Sequence, residues 1–480
     1  MPRHNLFLIV AVVLFGIFAA LHLSIPDRVF RDAVRVVERE SLEEVDEEEL
    51  VEGALDGMMS RSPYYPYSAY LPPDEEDEYE DEIQGVFAGI GIGHMAVDET
   101  SGELWFTPIY GSPAWKAGLR FGERITAIDG GKIDGKSPEE VHDVLSGELG
   151  KSVRLSVRSL GDILRRYGGD ESDSGEAVRE VEVPREMVRL DVVTGYRRGG
   201  DGAWIYTLDG NPQIGYIRVD QFTDETVPLF EEALGELDKQ GAASLIIDLR
   251  GNPGGFLEGA SGLCSSFLPK GAEVVTIRSR GGVIEKRVTA DGRKKYDWKL
   301  VVLIDEESAS ASEIVAGALA DHHRATLVGT RSYGKGTVQT LYTLAQGMGM
   351  IRLTCASFNR PSGKSIHREA DASDDDEWGV APDAENLVES DDYQRCAATL
   401  LADLRSFPPD GADRSEPMTR LIFDRAQKRD LFTPDPSDAP IAETECDFAT
   451  PESADPQLAR AIRILSPEEP PEAEKESPRE

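Results

Sequence analysis

Apolar residues fall along this chain in several patterns, each predicting a different kind of element. Leu6 to Leu23 (LFLIVAVVLFGIFAALHL) is an apolar run broken only by His22 and preceded by Arg3 and His4. About 20 apolar residues cross a bilayer as a helix, whereas a signal-peptide core is usually about 7–15. No small-x-small cleavage site follows, so an uncleaved membrane anchor is favoured over a removed signal peptide. Either reading puts the remainder on the exported, extracytoplasmic or periplasmic side. From Asp27 to Met59 the apolar positions Val29, Ala33, Val36, Val37, Leu50, Leu55 and Met58 have helical spacing. The Pro-, Tyr- and acid-rich tract 62–82 reads as an extended linker.

Two longer regions can bury a core. Residues 85–158 alternate in the manner of short strands: GVFAGIGIGHMAV, then RITAIDGGKI with an Asp-Gly-Gly hairpin signal, then VRLSVRS. SPEEVHDVLSG is expected to be a helix with a capping box from Ser137 and Glu140, and the polar, Gly-rich stretch 160–178 an exposed loop. From about 186 to 387 strands alternate with helices: IGYIRVD, VPLFEEALGELDKQG, SLIIDLRG, VVLIDEESASASEIVAGALADHH, TLVGT and MIRLTCASF. Continuous apolar strands in β/α order predict a largely parallel sheet covered on both faces. Beyond Asp391 a short amphipathic helix, Tyr393–Leu404, is expected. The segments after it are Pro- and Asp-rich, and the last 15 or so residues cannot bury a core.

The chain of 480 residues carries 89 acids against 51 bases, a formal charge of −38. The acids concentrate in two flanks. Residues 41–82 hold 16 acids and one base, and residues 369–480 hold 30 acids and 11 bases. The middle is nearly balanced. Such a surface excludes nucleic acid as a partner, because phosphate binding needs a basic face. The four cysteines (Cys264, Cys355, Cys396, Cys446) have no metal-ligand spacing, so neither a metal nor a disulfide framework is expected, and nothing calls for a cofactor.

Three segments carry candidate chemistry. Ser308-Ala309-Ser310-Ala311-Ser312-Glu313 follows an apolar strand and opens a helix, whose free N–H groups and positive dipole end would face a nucleophilic hydroxyl. Read alone, the serines could equally be helix caps, with Ser-x-x-Glu as a capping box. Ser332-Tyr333-Gly334-Lys335-Gly336 places a lysine between glycines, where burial could lower its pKa enough for it to act as a base. Gln339, four residues on, could orient the amine. Arg250-Gly251-Asn252-Pro253-Gly254-Gly255 ends a buried strand in a turn able to present amides to a ligand. No histidine offers itself as a Ser-His-Asp partner. His322 and His323, at the helix end, read as caps.

Taken together these runs resemble a known family. SASASEIVAGALADHHRATLVGTRSYGKGTVQ (308–339), LIIDLRGNPGG (245–255), RLTCASFNRPSGKSIHREA (352–370) and WGVAPD (378–383) are similar to the signature of the carboxy-terminal processing, or tail-specific, proteases. The resemblance covers about residues 27–387. It implies a crotonase-like α/β protease core with Ser310 as nucleophile, Lys335 as general base and Gln339 orienting the lysine. The Ala311 amide and one from Gly254–Gly255 would form the oxyanion hole, with Asp321 as a supporting polar residue. Ser308 and Ser312 are the rival nucleophiles, separated from Ser310 only by register.

The resemblance also makes residues 85–185 a PDZ domain. Phe87-Ala88-Gly89-Ile90-Gly91-Ile92 would be its carboxylate-binding loop, and Val141 and Leu145 would line the pocket for an apolar last side chain. The implied activity is that of a serine endopeptidase cutting exported proteins near their C-termini. Its partners are then peptides with apolar C-termini, with an activating adaptor and self-association as further candidates. The rival readings are a non-catalytic binder on the same fold and a PDZ scaffold. Two departures stand out. Ser62–Ser68 replaces an acidic Leu-Asp-Pro motif, and the 160–178 insertion leaves the relative placement of PDZ and protease domains open.

Overall fold

The computed structural model describes residues 25–98, 103–133, 136–159, 178–293, 295–373, 375–408 and 454–466. They fall into two compact units, one formed by the chain up to Asp77 with Gln339–Cys355, the other by Glu78–Val338 with the chain from Ala356 onward. The apolar run 6–23 and nearly all of the 160–178 loop lie outside the described residues. Among the described residues no helix is long and apolar enough to cross a membrane.

In the first unit the expected helical segment is two helices, Ile25–Glu40 and Glu47–Met59. Asp46 caps the second by accepting from the Glu48 N–H at 2.8 Å. Glu47, Glu48 and Glu49 place negative charge on its positive end. The tract read as an extended linker is not one throughout. Ala69–Leu71 is a strand paired antiparallel with Met350–Arg352, and Glu76–Ile83 is a helix. The pairing is fixed from far along the chain: Arg352 Nε donates to the Tyr67 carbonyl at 3.0 Å and the Thr354 N–H to Ser68 Oγ at 3.0 Å. Local composition carries no trace of partners that distant.

The second unit holds the β-rich module and the α/β core. In the module, Ile92–Asp98, Glu103–Pro108, Arg124–Ile128, Ser152–Arg158 and Val178–Pro184 form one antiparallel sheet in chain order. Gly131–Lys132 pairs with Arg124–Ile128. The intervening Asp129 and Gly130 both take positive φ, 49° and 78°, as a two-residue hairpin turn requires. The capping box forms as expected, with Ser137 N donating to Glu140 Oε2 at 2.8 Å and Glu140 N to Ser137 Oγ at 3.2 Å. Val178–Pro184, beyond the loop, pairs along Ser152–Arg158 as the last strand of the sheet.

The α/β core is a parallel ladder of Asn211–Val219, Ser244–Asp248, Lys299–Ile304 and Ala325–Gly329. Side chains alternate between its faces. Gly215 lies under Leu237, on the face covered by the helix Thr226–Lys239. Ile246, Val301, Leu303 and Val328 pack instead with Leu458, Ala461 and Leu465. These three belong to a helix, Pro456–Leu465, deep in the acidic C-terminal extension. The sequence demanded a cover for this face, and the cover comes from a segment that pattern reading left unassigned.

The amphipathic helix expected at Tyr393–Leu404 is present as Asp392–Arg405. It touches both the core, where Arg405 Nη1 donates to the Tyr196 hydroxyl at 3.2 Å, and the module. Asp403 accepts from His94 Nδ1 and Thr107 Oγ1, both at 2.9 Å, and the Asp403 bond raises the His94 pKa. Phe407, just past the helix, stacks on Trp115 with ring centroids 5.2 Å apart.

Candidate active site

The strand Lys299–Ile304 ends in the acidic loop Asp305–Ser308 and then Ser310, which begins the helix Ala311–Asp321. Ser310 has φ 55° and ψ −110°, a conformation costing on the order of 1–3 kcal/mol for a residue with a side chain. Such strain persists only where surrounding bonds enforce it. Here the Ser310 N–H donates to Glu313 Oε2 at 2.8 Å, and Ala309 N is held by the Asn252 carbonyl at 3.0 Å.

The three serines separate cleanly. Ser308 Oγ donates to the Leu249 carbonyl at 2.8 Å and accepts from the Asp305 N–H. Ser312 Oγ donates to the Asn252 carbonyl at 3.0 Å. Both are fully buried and spend their hydroxyls on holding backbone. Ser310 alone of the three is partly open to solvent.

Glu313 is the organising residue of the site. It is fully buried, and its carboxylate accepts four hydrogen bonds. Oε1 takes Ser332 Oγ at 2.6 Å and Gly334 N at 2.7 Å, while Oε2 takes Ser310 N and Lys335 N, both at 2.8 Å. The serine loop and the lysine loop therefore hang on one carboxylate. Burial pushes its pKa up to about 7, against the four donors that favour the charged form. The capping-box spacing marked Glu313 in the sequence, but only as a local cap.

The lysine loop is clamped from its other side. Ser332 N donates to the Val380 carbonyl at 2.9 Å and Val380 N to Ser332 Oγ at 2.8 Å, so WGVAPD closes over it. A Cβ on Gly336 would lie 2.2 Å from the His367 nitrogen, and one on Gly334 2.7 Å from Arg368 Cβ. The glycines flanking Lys335 are thus required by backbone approach. Gln339 lies in the next strand, Thr337–Thr343, where its Nε2 donates to Thr354 Oγ1 at 3.2 Å.

The turn after Ser244–Asp248 faces the serine loop. Gly254, at φ 108°, leaves room for a Cβ only 2.7 Å from Ser310 Cβ and 3.0 Å from Ala311 N. The Gly254 N–H donates to Asn252 Oδ1 at 2.8 Å. Of the two glycine amides considered for an anion site, Gly254's is thus already committed within the turn. Ala311 sits in the first helical turn, where a helix supplies no carbonyl to its N–H groups. Gly254→Ala is expected to push Ser310 aside and cut kcat about a hundredfold, the scale of an ångström-sized misplacement of a reacting group. Steady-state kinetics with unchanged far-UV circular dichroism would check it.

Asp321 does not belong to this constellation. It ends the helix that Ser310 begins, about 16 Å away at 1.5 Å per residue. There it pairs with Arg360 (Nη2–Oδ1 2.5 Å) and accepts from Ser362 N. His322, beside it, bonds the Glu273 carbonyl through Nε2 at 2.7 Å. Among the described residues no group of His, Cys, Asp and Glu is arranged to hold a metal. Cys264 is buried, with its thiol pushed up to about 12.

In the β-rich module the carbonyls of Ile90 and Gly91 are engaged from behind, by Ala114 N at 2.8 Å and by Ile109 N at 2.9 Å. Gly91, at φ 82°, admits no side chain, because a Cβ there would lie 2.2 Å from Ser112 Cβ. Among the described residues Ile92–Asp98 pairs on one side only, leaving a strand edge. Gly89 lies in Val86–Gly89, paired with Glu186–Arg189. Val141 and Leu145 depart from expectation. They are 0% and 5% exposed and packed in the module's core with Ile90, so neither is open to a ligand. Ile92 and Met95 are the partly exposed apolar residues beside them.

Comparison with known proteins accords with this geometry. A profile of peptidase family S41 matches residues 213–386, one of PDZ domains residues 107–159, and one of the activating protease CtpB N-terminal domain residues 27–76. The carboxy-terminal-processing protease of Bartonella bacilliformis is 35% identical over 326 residues, 67% of this chain and 68% of that one. The carboxy-terminal processing protease CtpA of Bacillus subtilis is 30% identical over 338 residues, 70% of this chain and 66% of that one. Among solved structures, the photosystem II D1 C-terminal processing protease is 25% identical, with a TM-score of 0.46, covering 82% of this chain and all of that one. With its Ser310 helix, its Gly254 turn and its PDZ module, this chain belongs to the carboxy-terminal-processing proteases of peptidase family S41.

Proposed function

We propose that the protein is a serine endopeptidase working through a Ser310/Lys335 dyad. The observation that carries this reading is the strained, partly exposed Ser310 whose backbone shares the Glu313 carboxylate with the backbone of Lys335. Neutral Lys335 takes the Ser310 proton, and Oγ attacks the scissile carbonyl. The tetrahedral oxyanion is received by the Ala311 and Gly255 amides. Lys335 then returns the proton to the leaving amine, and water resolves the acyl-enzyme by the same route. Gln339 as the group orienting Lys335, and the crotonase-like character of the core, rest on the family pattern alone.

Substrates in this reading are exported proteins with apolar C-terminal tails, and the run Leu6–Leu23 holds the enzyme at the membrane on the side where they arrive. The tail carboxylate would sit on the amides of the Gly89–Ile92 loop, with the peptide adding to the edge of Ile92–Asp98. Because Val141 and Leu145 are buried, seating an apolar last residue requires the helix Pro138–Leu145 to part from that strand. Tail binding is thereby a candidate gate, whether or not an adaptor assists. The test is cleavage of an unfolded protein ending in an apolar tail, against the same protein with a charged tail. Tail-dependent cleavage supports the reading, and no cleavage of either sinks it.

Gly91→Ala is expected to weaken a tail peptide at least tenfold, because its Cβ would displace the Ser112 side of the carboxylate loop. Calorimetric titration with a free-acid peptide and its amide would check this. Equal affinity for the two peptides in the wild type would contradict carboxylate capture.

A further inference from the structure

Arg250 is the second residue after the strand Ser244–Asp248, at the start of the turn that lies against Ser310. One edge of its guanidinium is held by Asp248, through Nε at 2.9 Å to Oδ1 and Nη2 at 2.6 Å to Oδ2. The other edge is held from 205 residues away. Asp455 accepts from Nη1 at 2.8 Å and from Nη2 at 3.0 Å, a bidentate pair, and Gln457 Oε1 accepts from Nη1 at 3.3 Å. Arg250 is 14% exposed and Asp455 8%, so the pair is largely out of water and screened little by salt. Asp455 and Gln457 belong to the C-terminal segment, beyond the residues that match the peptidase profile.

From Arg250 the connections to the catalytic loop are short. Its carbonyl accepts from Arg218 Nη2 at 3.0 Å, and the Gly251 N–H donates to Asp305 Oδ1 at 3.0 Å. The Asn252 carbonyl accepts from Ala309 N and Ser312 Oγ, on either side of Ser310. A shift at Arg250 is thus passed to the residues flanking the nucleophile.

We propose that Asp455 is a positioning residue for catalysis, through which the C-terminal segment 454–466 clamps Arg250 and sets the turn Gly251–Gly255 against Ser310. The inference rests on the Ser310 reading above for its effect on activity. Its effect on the turn is independent of that reading. Without Asp455 the outer edge of the guanidinium loses its bidentate partner, one bond from Nη1 and one from Nη2, and is held there by Gln457 alone.

The test uses the full chain carrying Asp455→Asn. Asp455 Oδ1 also caps its own helix by accepting from Leu458 N at 3.0 Å. Asparagine caps as well as aspartate, so this variant removes the charged clamp while sparing the helix. The expected result is a kcat lowered about tenfold with KM within twofold, partial recovery in Asp455→Glu, and at least tenfold faster amide exchange over 249–255 by mass spectrometry. Unchanged exchange in that segment overturns the proposal whatever the activity. Faster exchange with an unchanged kcat overturns it too. If the wild type cleaves nothing, the endopeptidase reading fails and the exchange measurement alone decides the clamp.

Discussion

Ser310→Ala and Lys335→Ala are each expected to lower kcat/KM by a factor of about 1,000 or more, and the double variant by little beyond either alone. Residues that transfer one proton between them act as a unit, so removing either removes what both contribute. Lys335→Arg should be equally inactive, because a guanidinium does not deprotonate in the working pH range. Since the base must be uncharged, activity should also fall as pH drops, and a flat profile from about pH 5 to 9 would count against lysine as the base. The assay is cleavage of a tail-bearing unfolded protein. Matched thermal unfolding of each variant excludes loss of fold as the cause.

Glu313→Gln is expected to cost nearly as much activity, about a hundredfold or more, and to destabilise the protein as well. All four partners of this side chain are donors. An amide offers one acceptor oxygen and turns its NH₂ toward two of them. Two buried donors left unmet cost about 1–3 kcal/mol each. Chemical denaturation would read the stability loss.

The pH dependence has opposite signs for stability and activity. In the folded protein burial pushes Glu313 up to about 7 from an ordinary value of 4.5. Between those values the folded state binds more protons than the unfolded state. The contribution is therefore fully present below pH 4.5 and lost as pH rises through 7. Activity runs the other way, because only the ionised carboxylate accepts all four donors and holds the two loops in register. The wild type should gain activity through pH 7 while this group's share of stability declines, and Glu313→Gln should flatten the stability profile over that window.

Much of this site was legible in the residues, and the exceptions share a cause. The serine run at a helix start and the lysine between glycines are local features, but it was the family resemblance that singled out Ser310 and Lys335 from helix caps and a surface lysine. Glu313 was legible only as the third residue of a capping box, since the Ser332 and Lys335 loop it also holds lies about 20 residues on. Asp321, carried over from the family resemblance, lies at the opposite end of the helix from Ser310, paired with Arg360. Val141 and Leu145 have the right helical spacing for a pocket, but the same spacing serves a core, and burial decided for the core. The strand Ala69–Leu71 and the helix Pro456–Leu465 were missed because their acidic, Pro-rich surroundings resemble solvated chain. Their reasons for folding, Arg352 and Thr354 for the strand and the uncovered face of the parallel sheet for the helix, sit hundreds of residues away.

Fluorophosphonate labelling followed by peptide mapping tests the Ser310/Lys335 assignment most directly, since it needs no knowledge of the substrate. The expected result is a single adduct on Ser310 of the folded wild type, formed more slowly as pH is lowered and absent from Lys335→Ala. An adduct on Ser308 or Ser312, or labelling of Ser310 that proceeds unchanged without Lys335, would contradict it.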